Sequence, residues 1–168
     1  IISNTRWGGK YGLLTLDAPE FAAAYQPGQM CMLSVLPAGS TDPLLRRTFA
    51  PLSVKNGIVK LIYAVVGRGT DLLSKQAAGT VLSLSSPKGN RFKLVSNQKV
   101  ALIAGGVGMA PMYCLAEALI EKGCEVHIFY GGRSKDDLFQ EFHDAPAPFK
   151  WVLATEDVNN GIKGFCTK

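Results

Sequence analysis

A chain of 168 residues, 47% apolar and 18% charged, is long enough for one well-buried domain or two small ones, and too apolar to be disordered. Its net charge of +5 comes from scattered basic residues. Arg46-Arg47 is the only adjacent basic pair and no Lys/Arg stripe interleaves with aromatics, so nucleic acid is not expected as a partner; a surface this basic suits phosphorylated cofactors or acidic proteins equally.

Up to about Leu94 the pattern is that of β structure. Apolar runs at Met30–Leu36, Ile58–Val66 and Val81–Ser85 are separated by turn signals at Gln26-Pro27-Gly28, Pro37-Ala38-Gly39-Ser40, Lys55-Asn56-Gly57 and Ser86-Pro87-Lys88-Gly89-Asn90. Asn56-Gly57, set between Val54 and Ile58, is the dipeptide of a two-residue hairpin, in which both central residues need positive φ. Closely spaced antiparallel strands of this kind predict a small barrel or sandwich. One short helix is expected at Asp71–Gln76, after Gly67-Arg68-Gly69-Thr70.

The rhythm changes after Asn97, so a hinge is expected across Lys93–Gln98, with domains over 1–96 and 97–168. A strand at Lys99–Ala104 runs into Gly105-Gly106-Val107-Gly108-Met109-Ala110-Pro111 and then into a helix. That helix carries Met112, Leu115, Ala116, Leu119 and Ile120 on one face and is closed by Lys122 and Gly123. Strands at Glu125–Tyr130 and Lys150–Ala154 follow, with a short helix between them at Lys135–Phe142. This βαβαβ order implies a parallel sheet with helical crossovers. Three strands are few for such a domain, and the expectation is an α/β half that is C-terminally truncated at Lys168. No apolar run approaches the length of a membrane span, and no signal or transit pattern follows Ile1; the cytoplasm is the expected location.

The most informative stretch is the strand–glycine–helix turn of the second half. Gly106 and Gly108 admit positive φ and close approach of a ligand, the helix start offers unpaired N–H groups, and Pro111 suits a first turn where its missing N–H costs nothing. Pro111 stands where the dinucleotide fingerprint has its third glycine, so this turn alone is a weak signal. A second turn of the same chemistry, Gly67-Arg68-Gly69-Thr70, lies in the β half, downstream of Leu45-Arg46-Arg47-Thr48-Phe49-Ala50. An arginine beside an aromatic can grip a phosphate while the ring edges a planar cofactor. Taken alone, Arg46-Arg47 would be a solvated pair, and Phe49 and Tyr63 core aromatics.

Other candidates read more plainly. Cys31, Cys114, Cys124 and Cys166 have no ligand spacing, so no metal site is expected within the chain, and Cys31 in its strand and Cys114 in its helix are read as small buried hydrophobes. His127 reads as a hydrogen-bonded structural residue, His143 as exposed, and Asp136-Asp137 as the acidic start of a helix. Arg133, after Gly131-Gly132, belongs either to a simple strand exit or to a phosphate contact. Glu156-Asp157 is the acidic pair suited to a ribose, accepting 2′-OH hydrogen bonds and repelling a 2′-phosphate.

Six segments, in order, resemble the ferredoxin–NAD(P)H reductase superfamily, in particular the electron-transfer subunits of dihydroorotate dehydrogenase. They are Tyr25-Gln26-Pro27-Gly28-Gln29-Met30, Leu44 to Ala50, Tyr63 to Thr70, Ser86 to Phe92, Gly105 to Pro111, and Thr155-Glu156-Asp157 with Gly161-Ile162-Lys163-Gly164. The resemblance implies an FAD-binding antiparallel β-barrel followed by a partial NAD(P)-binding α/β domain. Carried over, Arg47 contacts the flavin phosphate region, Thr48, Phe49 and Ala50 line the ribityl and ring, and Ile62, Tyr63 and Ala64 form the neighbouring strand. Gly69 and Thr70 meet the FAD pyrophosphate. Gly106, Gly108, Met109, Ala110 and Pro111 form the nicotinamide-nucleotide wall, with Thr155 and Asp157 near its ribose.

The implied protein takes hydride from NADH, less readily from NADPH, onto FAD, and passes electrons to a catalytic dehydrogenase or other redox partner subunit in pyrimidine biosynthesis. Its rivals are a self-standing reductase for ferredoxin or an oxygenase, and a non-catalytic interaction subunit without flavin. Ala50 replaces a usual hydroxyl residue, for which a backbone N–H or Ser53 would compensate, and Ser86, Lys88 and Arg91 replace Gly, Leu and Gly. The family's Cys-Gly-Pro segment and [2Fe–2S] cysteines have no counterpart before Lys168, so a cluster is expected only if the natural protein continues beyond it.

Overall fold

Alternation of apolar and polar side chains builds two antiparallel sheets in the first part of the chain. Strands β1 (Ser3–Trp7), β2 (Tyr11–Asp17), β5 (Pro51–Lys55) and β6 (Ile58–Ala64) form one sheet in the order β1-β2-β6-β5. Strands β3 (Cys31–Pro37), β4 (Arg47–Phe49) and β7 (Leu82–Leu84) form the other in the order β4-β3-β7. On β3 the inward residues Cys31, Leu33 and Val35 are fully buried while Met32 between them is exposed. They meet Leu14, Leu16, Val59, Leu61 and Tyr63 from the first sheet, with Phe21 of α1 (Pro19–Ala24) and Leu73 of α2 (Arg68–Ser74), in a single core. The expected hairpin joins β5 to β6, with Asn56 at φ 51° and Gly57 at φ 80°.

The described residues are 1–8, 10–37, 39–40, 42–139, 148–157 and 161–167 of this computed structural model. They divide into two compact units, Ile1–Phe92 and Lys93–Lys168, so the division falls ahead of the 96/97 boundary read from the sequence. The short helix after the first glycine turn also begins early, at Arg68 and not Asp71. The Thr70 hydroxyl accepts the Val66 and Gly67 N–H groups (3.0 and 3.3 Å) and so fastens the helix start one turn sooner.

The second unit is a four-stranded parallel sheet in the order β11-β10-β9-β8, built from β8 (Lys99–Gly105), β9 (Glu125–Gly132), β10 (Lys150–Thr155) and β11 (Ile162–Lys163). Helix α3 (Met109–Glu121) buries Met109, Ala110, Cys114, Leu115, Ala116 and Leu119; Met112 and Ile120 of the expected face are half-buried. Gly123, at φ 75°, closes it in the left-handed conformation.

Two expectations are corrected here. The sheet has a fourth strand, β11, too short to show a period. The helix expected at Lys135–Phe142 is, in its described part, one 3-10 turn at Lys135–Asp137, after which Leu138 is extended; residues 140–142 lie outside the described residues. The Asp137 carbonyl, which a longer helix would need, instead accepts the Tyr130 hydroxyl at 2.9 Å. Leu138 and Phe139 turn inward and are buried, with Phe139 stacked on Tyr130.

Candidate cofactor site

In the first unit, strand alternation puts Arg47 and Phe49 on one face of β4 and leaves Thr48, exposed, on the other. The Arg47 guanidinium lies directly over Gly69. A Cβ at Gly69 would stand 2.6 Å from Arg47 Nε and 2.8 Å from its terminal nitrogen, so only glycine leaves room for the guanidinium there. Arg47 also donates to the Leu45 carbonyl. Asp71 gives the first full helical hydrogen bond of α2, to the Gly67 carbonyl at 2.9 Å, so Arg68, Gly69 and Thr70 present N–H groups without a partner inside the helix. The Thr70 hydroxyl is spent on shaping the turn, and the group this residue can offer a ligand is its amide. A guanidinium beside such amides is a cradle for an anion.

Arg68 faces elsewhere. It holds the Asp42 carboxylate through two hydrogen bonds of 2.9 and 2.5 Å, and this contact keeps the Asp42 carboxyl below the usual range.

Phe49 is half-buried and meets Tyr63 edge to face, centroids 6.4 Å apart. Tyr63 itself is 2% exposed. Its hydroxyl donates to Asn4 Oδ1 (2.8 Å), and Asn4 Nδ2 donates to the Leu73 and Gln76 carbonyls (2.8 and 2.9 Å). Its ring also fills the space where a Cβ at Gly12 would sit. The Tyr63 side chain is therefore a core pillar, and Ile62 is buried as well. Pairing of β5 with β6 ends at Leu61, which puts the backbone of Ile62, Tyr63 and Ala64 beyond the end of that strand. Half-buried Ala50 links β4 to β5, and the Cys31 thiol beneath Phe49 is pushed up to about 12 by burial.

In the second unit, parallel register brings the C-terminal ends of three strands to one edge. Gly105 is level with Gly131, and Gly132 with Thr155. Residues Gly106–Gly108 form a 3-10 turn above that edge, with Gly106 at φ 52°. An added Cβ at Gly106 or Gly108 would meet no atom within 4 Å, so the outer side of the turn is open. Met109 and Ala110 are buried beneath it and Pro111 is half-buried, so these three shape the helix start. Thr155 is wholly buried, whereas Glu156 and Asp157 are exposed just past it.

Arg133, also at this edge, donates from its backbone N–H and Nε to the Asp137 carboxylate (3.1 and 3.4 Å). The reading of Asp136-Asp137 as a plain helix start missed this partner and Tyr130, whose hydroxyl reaches the Gly106 carbonyl. The available signal was a tyrosine, with a hydroxyl to satisfy, just ahead of Gly131-Gly132 at the end of the strand.

His127 Nε2 lies 3.0 Å from Glu125 Oε1, and His143 is outside the described residues. Among the described residues no group of three His, Cys, Asp or Glu side chains could hold a metal ion, and no helix is long and apolar enough to cross a membrane.

Residues 102–156 match the model of the oxidoreductase NAD-binding domain family. The dihydroorotate dehydrogenase B (NAD(+)) electron transfer subunit homolog of Aquifex aeolicus is 36% identical over 100% of this chain and 66% of its own length. The corresponding electron transfer subunit of Desulforamulus reducens is 34% identical over 90% of this chain and 58% of its own length. Among solved structures, an NADH-dependent reduced ferredoxin–NADP oxidoreductase superimposes with a TM-score of 0.83 at 24% identity, over 98% of this chain and 58% of that one. The chain is thus similar along its whole length to dihydroorotate dehydrogenase B electron transfer subunits, and it shares the fold of the ferredoxin–NADP oxidoreductase structure.

Its two units follow the fold of that solved structure, an antiparallel half followed by a parallel α/β half. The chain spans 58 to 66% of the length of these two relatives. The loop from Ser86 to Phe92 is tied to the turn at Gln26–Met30. Arg91 donates to Gln26 Oε1 at 2.8 Å, Lys88 bridges Met30, and the Phe92 N–H bonds the Pro27 carbonyl. Gly28, at φ 104°, lets that backbone approach, since a Cβ there would lie 2.6 Å from the Phe92 nitrogen.

Proposed function

We propose that this chain is the flavin- and nucleotide-binding part of an electron-transfer subunit, taking reducing equivalents from NADH through FAD to a catalytic dehydrogenase subunit. The observation that carries the reading is Arg47 laid over Gly69 at the start of α2. Arg47 and the amides of Gly69 and Thr70 would hold the flavin's phosphates. Phe49 would edge its ring, with the backbone of Ile62, Tyr63 and Ala64 alongside; Ala50 and Thr48 would complete the lining. When bound, FAD supplies the chemistry, accepting hydride and releasing electrons to the partner. The glycine turn Gly106–Gly108, supported by Met109, Ala110 and Pro111, would receive the nicotinamide nucleotide at the strand edge that also carries Thr155 and Asp157. A [2Fe–2S] cluster would need cysteines other than the four present. Cys31, Cys114, Cys124 and Cys166 are all free thiols, which suits the cytoplasm and is tested by fractionation.

The decisive test is purification of the full-length protein without added flavin. The expected result is the absorbance of oxidised flavin, release of FAD on denaturation, bleaching by NADH, and co-purification of a second, different polypeptide from native extract. A folded, colourless protein that takes up no FAD overturns the reading in favour of an interaction subunit. Full-rate reduction of a soluble acceptor by the isolated protein favours a self-standing reductase.

A further inference from the structure

Tyr130 is wholly buried, its ring stacked on Phe139 at 6.0 Å and 14°. Its hydroxyl faces two backbone carbonyls, Gly106 at 3.3 Å and Asp137 at 2.9 Å. The first begins the glycine turn that follows β8, and the second closes the turn that follows β9. Asp137 adds a second tie. Its side chain is 6% exposed and reaches back to the N–H and Nε of Arg133 at the end of β9. The phenol, sharing its one proton between the two carbonyls, thus links the exits of two neighbouring strands, at the edge where Gly105 is level with Gly131, and the carboxylate braces the second of these exits.

We propose that Tyr130 and Asp137 are positioning residues that hold the glycine turn in its ligand-ready form before the nucleotide arrives. Gly106 and Gly108 have no side chains to anchor them, and glycine loses more backbone freedom on ordering than any other residue. A turn fixed only when the ligand arrives would charge that entropy against binding, whereas a turn fixed in advance does not. The Gly106 carbonyl already accepts the Met109 N–H within the turn, and the phenol adds a hold on it from the neighbouring strand. The inference rests on the nucleotide reading proposed above and assigns it two further residues.

The test uses the full-length protein, kept anaerobic with its flavin already reduced so that NADH binds without reacting, and the variants Tyr130→Phe and Asp137→Asn, with NADH titrated by isothermal calorimetry. Tyr130→Phe keeps the ring and its stack and loses only the hydroxyl. The expected result is an NADH Kd raised about five- to tenfold, with bound flavin unchanged. Amide exchange of Val107 and Gly108 should accelerate in the same variant while that of β9 does not. Asp137→Asn keeps the shape and an acceptor for the Arg133 N–H, and its Kd should rise by a smaller factor. A Kd within twofold of the parent in Tyr130→Phe overturns the inference. A lowered Tm with unchanged Kd assigns these residues to stability alone and also overturns it. Absence of NADH binding in the parent protein overturns the nucleotide reading itself, a result distinct from both.

Discussion

Arg47 and Gly69 act as a pair, because the guanidinium occupies the volume that any larger residue at 69 would claim. Arg47→Ala should weaken FAD retention on the order of 1.5–3 kcal/mol through loss of a charge-assisted contact. Gly69→Ala should reach a similar loss by another route, since its Cβ displaces a flexible side chain and leaves the helix intact. Because both changes remove the same contact, the double variant should be little worse than either single one. Flavin dissociation followed by fluorescence checks this, and additive losses would mean that Arg47 does not act over Gly69. At this scale the sequence was informative about residue type and less so about orientation. Arg-Thr-Phe and Gly-x-Gly-Thr marked two segments that the fold brings together at Arg47 and Gly69, but alternation along β4 separates Thr48 from Arg47 and Phe49. Nothing local told that the Tyr63 hydroxyl belongs to Asn4, 59 residues earlier.

The strands of the second unit begin in a ladder of alternating charge that gives the sheet a measurable pH dependence. Lys99 lies level with Glu125, and Lys150 donates to Glu125 Oε1 at 2.6 Å; His127 lies beside it at 3.0 Å. The Lys150 hydrogen bond, then that of His127, then the two lysine charges push the Glu125 carboxyl down from 4.5 to about 2. A carboxyl whose pKa falls on folding contributes stability above its unfolded value and loses it as pH drops through the folded one. The contribution should therefore be complete above pH 4.5 and disappear toward pH 2. Glu125→Gln should lower Tm at neutral pH and flatten the fall of Tm across that window, and added salt should shrink the difference, since the group is exposed. An acid limb identical in both proteins would refute the assignment. Elements with a local cause were legible, such as the Asn56-Gly57 hairpin, β8 and α3. Those with a distant cause were not. The two-residue β11 exists only as a partner for β10, and the helix expected from Lys135 gives way to extended backbone at Leu138, where the Asp137 carbonyl meets Tyr130 from the preceding strand.

At the scale of the whole molecule the two-domain architecture was readable because the hydrophobic period switches once, from that of strands to that of strands alternating with a helix. On the function proposed above, the choice of nucleotide would be decided by charge at the C-terminal edge of the parallel sheet. Charged side chains with opposing effects stand there, among them Glu156, Asp157, Arg133 and Lys163, the last level with Thr155 on β11. Glu156 and Asp157 are exposed just past Thr155, where a carboxylate accepts ribose hydroxyls and repels a 2′-phosphate. Arg133 would attract that phosphate, but its Nε lies 3.4 Å from the Asp137 carboxylate, which offsets much of its charge. The balance favours NADH. The full-length protein should be reduced by NADH at least about tenfold faster than by NADPH at matched, subsaturating concentrations and low ionic strength, a preference worth about 1.4 kcal/mol. Asp157→Asn combined with Glu156→Gln should narrow the gap mainly by speeding NADPH, because it removes repulsion and keeps hydrogen-bonding groups. Asp137→Asn should act in the same direction by unmasking Arg133. Equal or faster reduction of the parent protein by NADPH would mean that Arg133, and not the acidic pair, faces the ribose.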